Sequence, residues 1–210
     1  MMLRIAAALA LLLGITGFLG YLRLIGEGPF VPLPLRHLRE LKERTEPPRD
    51  PQPLSFAELR ALPHDWNVAE YSALERRGVT LEGYVQRVLR ASDDDIHLEV
   101  TPEWPAPERG LVSYATAEIT PGVRRAAPAW NYGTLVRAFR VNEGDVTPWD
   151  AGPRRVRLTG WLLFDFQYDS RPDSLALASG ARRMSGWEVH PVTGIELWDD
   201  SLARYVELPR

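Results

Sequence analysis

An almost unbroken apolar run, Ile5 to Ile25, follows Met1-Met2-Leu3-Arg4 and is interrupted only by Thr16 and Arg23. An α-helix needs roughly 20 apolar residues to cross a bilayer, and no other stretch of the chain approaches that. The run therefore predicts one N-terminal transmembrane helix within residues 1–27 and one folded body behind it. A cleaved signal peptide would have a shorter apolar core and a small-x-small exit. Here the exit reads Tyr21-Leu22-Arg23-Leu24-Ile25-Gly26-Glu27, so an uncleaved anchor in the lipid bilayer is expected. Ala6, Ala10 and Gly14 recur every four residues and Gly17 continues the same side. Such a small-residue face lets a second helix approach closely in lipid. Arg4 precedes the run, and Arg36, Arg39, Lys42 and Arg44 follow it. Charge counting alone favours a cytoplasmic body. The signal-like start favours the opposite side, and the expected location is a bacterial inner (cell) membrane, single pass, with a periplasmic body.

The body, under two hundred residues, is enough for one substantial core. The chain has no Cys, which removes disulfides, thiolate metal ligands and a Cys nucleophile. A net charge of −3 argues against a nucleic-acid partner, which would be met by a basic surface.

Residues 28–68 read as a Pro-rich tether with two short helices. Pro29, Pro32, Pro34, Pro47, Pro48, Pro51 and Pro53 deny it a long helix or a central strand. Leu35 to Thr45 has helical spacing. Ser55 and Glu58, with Leu54 and Leu59 as a staple, signal a second helix that ends before Pro63. Phe30, Val31, Leu33 and Leu35 are more apolar than a plain spacer requires, which suits a segment lying along a partner.

From residue 69 the pattern changes. Ala69 to Arg77 reads as a short helix stopped by Gly78. Strand-like runs follow at Val79–Leu89, Ile96–Thr101 and Leu111–Ile119, the first two joined by Ser92-Asp93-Asp94-Asp95. Helical periodicity over Val123–Arg140, broken near Pro128 and Gly133, separates these from two further strands, Arg155–Phe166 and Trp187–Leu197. Tyr205–Leu208 adds a short edge strand. Three strands, a helix and two strands is the order of an OB-fold barrel, and Gly83 stands where a strongly bent first strand needs a glycine. The expected fold is mainly β with short helices: an OB-fold-like five-stranded barrel over 69–210, carried by one N-terminal transmembrane helix.

The residues Asp95-Ile96-His97-Leu98-Glu99, Glu118, Thr159-Gly160-Trp161, Phe164-Asp165-Phe166 and Trp187-Glu188-Val189-His190-Pro191-Val192 carry a resemblance. Residues 79–198 resemble a set of uncharacterised bacterial OB-like proteins with an Asp-x-His-Leu strand and a closing Glu-Leu/Ile-His-Pro-Val strand. In those relatives a His often follows the Asp-Phe pair. This chain has Gln167 and Tyr168 there, so the third His is absent.

On a strand, alternate residues share a face. Asp95, His97 and Glu99 therefore point one way, with Ile96, Leu98 and Val100 directed to the core. Glu188 and His190 share a side opposite Trp187 and Val189. Convergence of these strands would gather His97, His190, Glu188 and Asp95, a donor set for zinc or another divalent metal or for general acid–base work. The competing reading is structural: a histidine on a sheet face donates to a carboxylate and pins two strands together. No Ser-His-Asp arrangement, phosphate loop, His-Glu-x-x-His or dinucleotide fingerprint is present, and no cofactor is called for.

Of seven Trp, Trp66, Trp104, Trp130 and Trp149 fall in loops or beside Pro, while Trp161, Trp187 and Trp198 belong to strands and the core. Loop Trp suit partner contacts, and Trp104, Trp130 and Trp149 join Phe30, Val31 and Leu33 in that set; capping an open barrel end is their other use. The expected function is a non-catalytic accessory subunit of a larger integral membrane protein complex, for example a respiratory or photosynthetic assembly. It would dock through helix, tether and barrel. The alternatives are a membrane-anchored metal-dependent hydrolase using His97 and His190, and an OB-type binder of oligosaccharide or oligonucleotide.

Overall fold

Strand-forming residues dominate from residue 78 onward, and there they make a sheet. The computed structural model describes residues 14–17, 33–64, 68–104, 112–141, 153–169 and 181–210. Seven strands are present among them: β1 (Gln52–Leu54), β2 (Gly78–Arg90), β3 (Ile96–Thr101), β4 (Val112–Ile119), β5 (Arg155–Phe164), β6 (Ala181–Asp199) and β7 (Arg204–Glu207). The helices are short: α1 (Leu33–Lys42), α2 (Phe56–Ala61), α3 (Val68–Leu74), α4 (Pro121–Ala126) and α5 (Tyr132–Phe139). The chain divides into two units, residues 1–40 and 41–210. In the first, residues 14–17 are helical and α1 begins.

The second unit is built on one sheet in the order β1-β2-β3-β4-β6-β5, with β7 beside β6. Two long strands are shared between neighbours. The first half of β2 lies between β1 and β5, and its second half pairs with β3. The first half of β6 runs parallel to β4, its later part runs antiparallel to β5, and its end takes β7. Because β5 pairs back to β2, the pairings β2–β3–β4–β6–β5 close in a cycle. The glycine in β2 has a specific use. A Cβ on Gly83 would stand 2.5 Å from the Thr101 carbonyl oxygen and 2.9 Å from Val100 Cγ1, so only glycine lets β2 and β3 approach here.

Two corrections to the expected fold follow. The sheet has seven strands, not a barrel of five: the short edge strand expected near Tyr205 is present at Arg204–Glu207 beside β6, and the unexpected one is Gln52–Leu54 from the Pro-rich segment, which pairs with β2 and takes backbone groups otherwise left unpaired. And among the described residues no helix is long and apolar enough to cross a membrane. Of the run Ile5–Ile25, only residues 14–17 are described; Ala6 and Ala10 lie outside, and a Cβ on Gly14 or Gly17 would meet nothing within 4 Å.

Residues 41–64 share the core of the second unit. Leu54, Leu59 and Leu62 are buried with Val79, Leu81 and Val156. The Ser55 side chain accepts from the Glu58 amide at 3.0 Å, capping α2. The Glu58 carboxylate turns instead to Arg77, at 2.7 Å, so only half of the capping box forms. Between β4 and β5 the helical stretch expected to break near Pro128 is two helices, α4 and α5. Thr120 caps α4 and Asn131 caps α5, each accepting from the amide three residues on, and α5 buries Leu135, Val136 and Phe139.

Candidate metal centre

Strand β3 is buried on both faces, and the polar face makes the site. Ile96, Leu98 and Val100 enter the apolar core as expected. Asp95 and Glu99 on the other side are also buried, at 5% and 0% exposure. Charged groups removed from water must satisfy one another, and here they do so across three strands. His97 on β3 stands opposite Glu118 on β4. Its Nδ1 donates to Glu118 Oε1 at 3.0 Å. Strand β6 runs beside β4 with Glu188 next to Thr116 and Val189 next to Ala117. One residue further, His190 Nδ1 donates to Glu188 Oε1 at 3.0 Å and lies 3.2 Å from Glu118 Oε2. Glu118 is thus the bridge between the two histidines.

The other nitrogen of His190 is the informative atom. Nε2 faces Asp95 Oδ2 at 3.6 Å and is buried with no hydrogen-bond partner among the described residues. Asp95, Glu118 and His190 each offer one ligand atom, and the three atoms lie within 4.8 Å of one another. An Nδ1–H held by a carboxylate with Nε2 directed at a second acidic group is how a metal-ligating histidine is oriented. Glu188 supplies that outer partner.

Two cations frame the cluster. Lys42, the last residue of α1, places Nζ 3.0 Å from Asp165 Oδ2 just past β5. Arg183 on β6 places Nη1 3.4 Å from Glu188 Oε2 and Nη2 4.0 Å from Glu118 Oε1. Two residues after Lys42, Arg44 donates to the carbonyls of His190 and Glu75 at 3.1 and 2.7 Å, stitching that segment to the site.

These contacts set the charge states. Burial alone lowers His190, but hydrogen bonds to Glu118 and Glu188 hold it up at about 9. Burial raises Asp95 to about 7 against the pull of His190. Burial would raise Glu118, yet the two imidazoles hold it well below the usual carboxylate range. Asp165 is raised by burial and by Glu188, opposed by Lys42. Without a metal, the carboxylates thus favour the protonated form of the His190 imidazole, and burial favours the neutral form of Asp95.

Of the four residues expected to gather, His190 and Asp95 belong to the triad. Glu188 stands behind His190 as its hydrogen-bond acceptor. His97 is tied to Glu118, and its Nε2 lies 4.0 Å from Glu99 Oε1, away from the triad. Glu118 completes the triad and lies outside the expected set; its only signal in the sequence is a lone acidic residue near the end of an apolar strand. Lys42 and Arg183 carried no signal. Among the expected partner contacts, Leu33 is 58% exposed and Trp104 is half-buried. Trp130 is a correction: it is fully buried in the core, its Nε1 donating to the Pro209 carbonyl at 3.0 Å, because the C-terminal segment supplies the acceptor. Trp161 and Trp198, expected in the core, are half-buried. Phe30, Val31 and Trp149 lie outside the described residues.

No protein-family model matches this chain, and no curated protein matches it.

Proposed function

We propose that this protein binds one first-row divalent metal ion, zinc by choice of donor set, through Asp95, Glu118 and His190. The observation that carries the reading is the Nε2 of His190: fully buried, without a hydrogen-bond partner among the described residues, and directed at Asp95. An imidazole Nε2 buried without a hydrogen-bond partner costs about 1–3 kcal/mol, and a metal ion that displaces its proton and sits between it and two carboxylates removes that cost. One imidazole and two carboxylates suit zinc or manganese better than a thiolate-seeking ion. The triad is closed off from solvent, which suits an ion held by the fold more than one that turns over substrate, since catalytic zinc keeps an open position.

The roles expected from the sequence draw on less. Metal-dependent hydrolysis through His97 and His190 has only His190 at the triad. Docking as an accessory subunit has Leu33 and Trp104 on the described surface, and singly exposed apolar residues are ordinary.

The test is metal content. Full-length protein equilibrated with zinc and desalted should retain one ion per chain by elemental analysis. His190→Gln and Asp95→Asn should retain none, and His97→Gln should retain it with weaker affinity. Wild-type protein free of zinc after equilibration leaves the cluster as a strand-pinning network and ends the metal reading.

A further inference from the structure

Arg183 has a relation to the centre that differs from that of Lys42. Lys42 is engaged by a direct contact to Asp165, which is not one of the three ligands. Arg183 is nine-tenths buried, its side chain 8% exposed, and it is drawn to Glu118 and Glu188 by charge alone. Its Nη1 makes no hydrogen bond, and neither does Glu188 Oε2, the oxygen 3.4 Å away. Both atoms are buried. A guanidinium that belonged permanently to these carboxylates would form the two-pronged pair that Arg87 makes with Glu99. Instead its Cζ lies over the ring of Tyr168, 4.7 Å from the centroid, and Tyr168 is 48% exposed. The side chain thus lies between the acidic cluster and an aromatic ring at the surface.

Resting on the metal reading above, we infer that Arg183 is a tethered counter-cation that opposes the metal's charge at the ligand Glu118 and at Glu188 behind His190, and so sets the affinity of the centre. Glu118 is a ligand and Glu188 holds the His190 ring, so the carboxylates that Arg183 neutralises are those that make the site attractive to a divalent ion. A fixed positive charge a few ångströms from a buried cation site repels the incoming ion in a medium where such charges are poorly screened. The result is a centre of moderated affinity. The Tyr168 ring gives the guanidinium a contact that does not depend on the carboxylates, because an aromatic face is favourable for a cation.

The experiment is calorimetric titration of the metal-free full-length chain with zinc chloride, comparing wild type, Arg183→Gln and Arg183→Lys. Near-ultraviolet circular dichroism establishes that each variant is folded. Arg183→Gln removes the charge and should bind zinc about tenfold more tightly or better. Arg183→Lys keeps the charge and should stay within about threefold of wild type. Equal or weaker zinc binding by folded Arg183→Gln, with wild type binding normally, overturns the role of Arg183 and leaves the metal centre intact. Tighter binding by Arg183→Lys to the same degree as Arg183→Gln also overturns it, since geometry and not charge would then be at work. No zinc binding by wild type or by either variant overturns the metal centre itself, and this inference with it.

Discussion

At the scale of single residues, the buried ionisable groups make stability depend on pH in a way that can be signed. His190 is raised from 6.5 to about 9. Its contribution is fully present below pH 6.5 and is lost as pH rises through 9. Asp95 is raised from 3.8 to about 7, so its contribution is present below 3.8 and is lost as pH rises toward 7. Glu118 is held well below 4.5, and its contribution is lost on acidification. Metal-free protein should therefore be most stable in mildly acidic solution and lose roughly 2–3 kcal/mol from His190 between neutral pH and 9. Urea melts across pH 5 to 9 check this; a wild-type profile that rises toward pH 9, or one that His190→Gln leaves unchanged, contradicts the assignment. A second residue-scale prediction concerns Arg87 and Glu99, a two-pronged pair at 4% and 0% exposure. Glu99→Gln should cost about 3–5 kcal/mol because it strands a buried guanidinium. Replacing both by apolar residues of similar volume should cost far less, and comparable losses in the two cases would mean the charge is not the issue.

At the scale of elements, the glycines that permit close strand approach give the sharpest contrast. A Cβ on Gly160 would lie 2.3 Å from the Pro191 carbonyl oxygen, a backbone atom, where the β5–β6 register shifts. On Gly194 it would meet only the Thr159 side chain at 3.2 Å. Gly160→Ala should lower stability by about 2–4 kcal/mol and Gly194→Ala by under about 1 kcal/mol; equal thermal midpoints for the two would show that the strands separate freely. The elements themselves were largely legible, because the strand runs are apolar or alternating and bounded by Gly, Pro and Asp. Ile96–Thr101 coincides with β3, and the faces of Asp95, His97 and Glu99 follow from period-two geometry. What periodicity does not contain is register. Glu118 meets His97 only because β3 and β4 pair at that offset, and Lys42 reaches Asp165 from 123 positions away in sequence. Likewise Gln52–Leu54 has no strand signal of its own, with Pro53 at its centre; it is a strand because the outer edge of β2 accepts it. Trp130 reads as a loop residue in sequence and is buried because the C-terminal segment folds over it.

At the scale of the whole molecule, the metal reading joins folding to ion binding. The triad draws its residues from the position just before β3, the end of β4 and the middle of β6, so it exists only when those strands are paired. An ion bound to the native chain and not to the unfolded one raises stability by about 2.7 kcal/mol at a hundredfold excess over Kd. Zinc should therefore raise the thermal midpoint of wild type and not of His190→Gln. The increment should grow from pH 6.5 to 9, since the ion displaces protons held by His190 and Asp95. An increment that shrinks as pH rises would contradict that exchange. The claim at the centre of this account is the identity of the ligands, and extended X-ray absorption of the stoichiometric zinc complex tests it most directly. One imidazole and an otherwise oxygen-only shell, unchanged in His97→Gln, is the predicted result; two imidazoles per zinc would place the ion between His97 and His190 and contradict the triad.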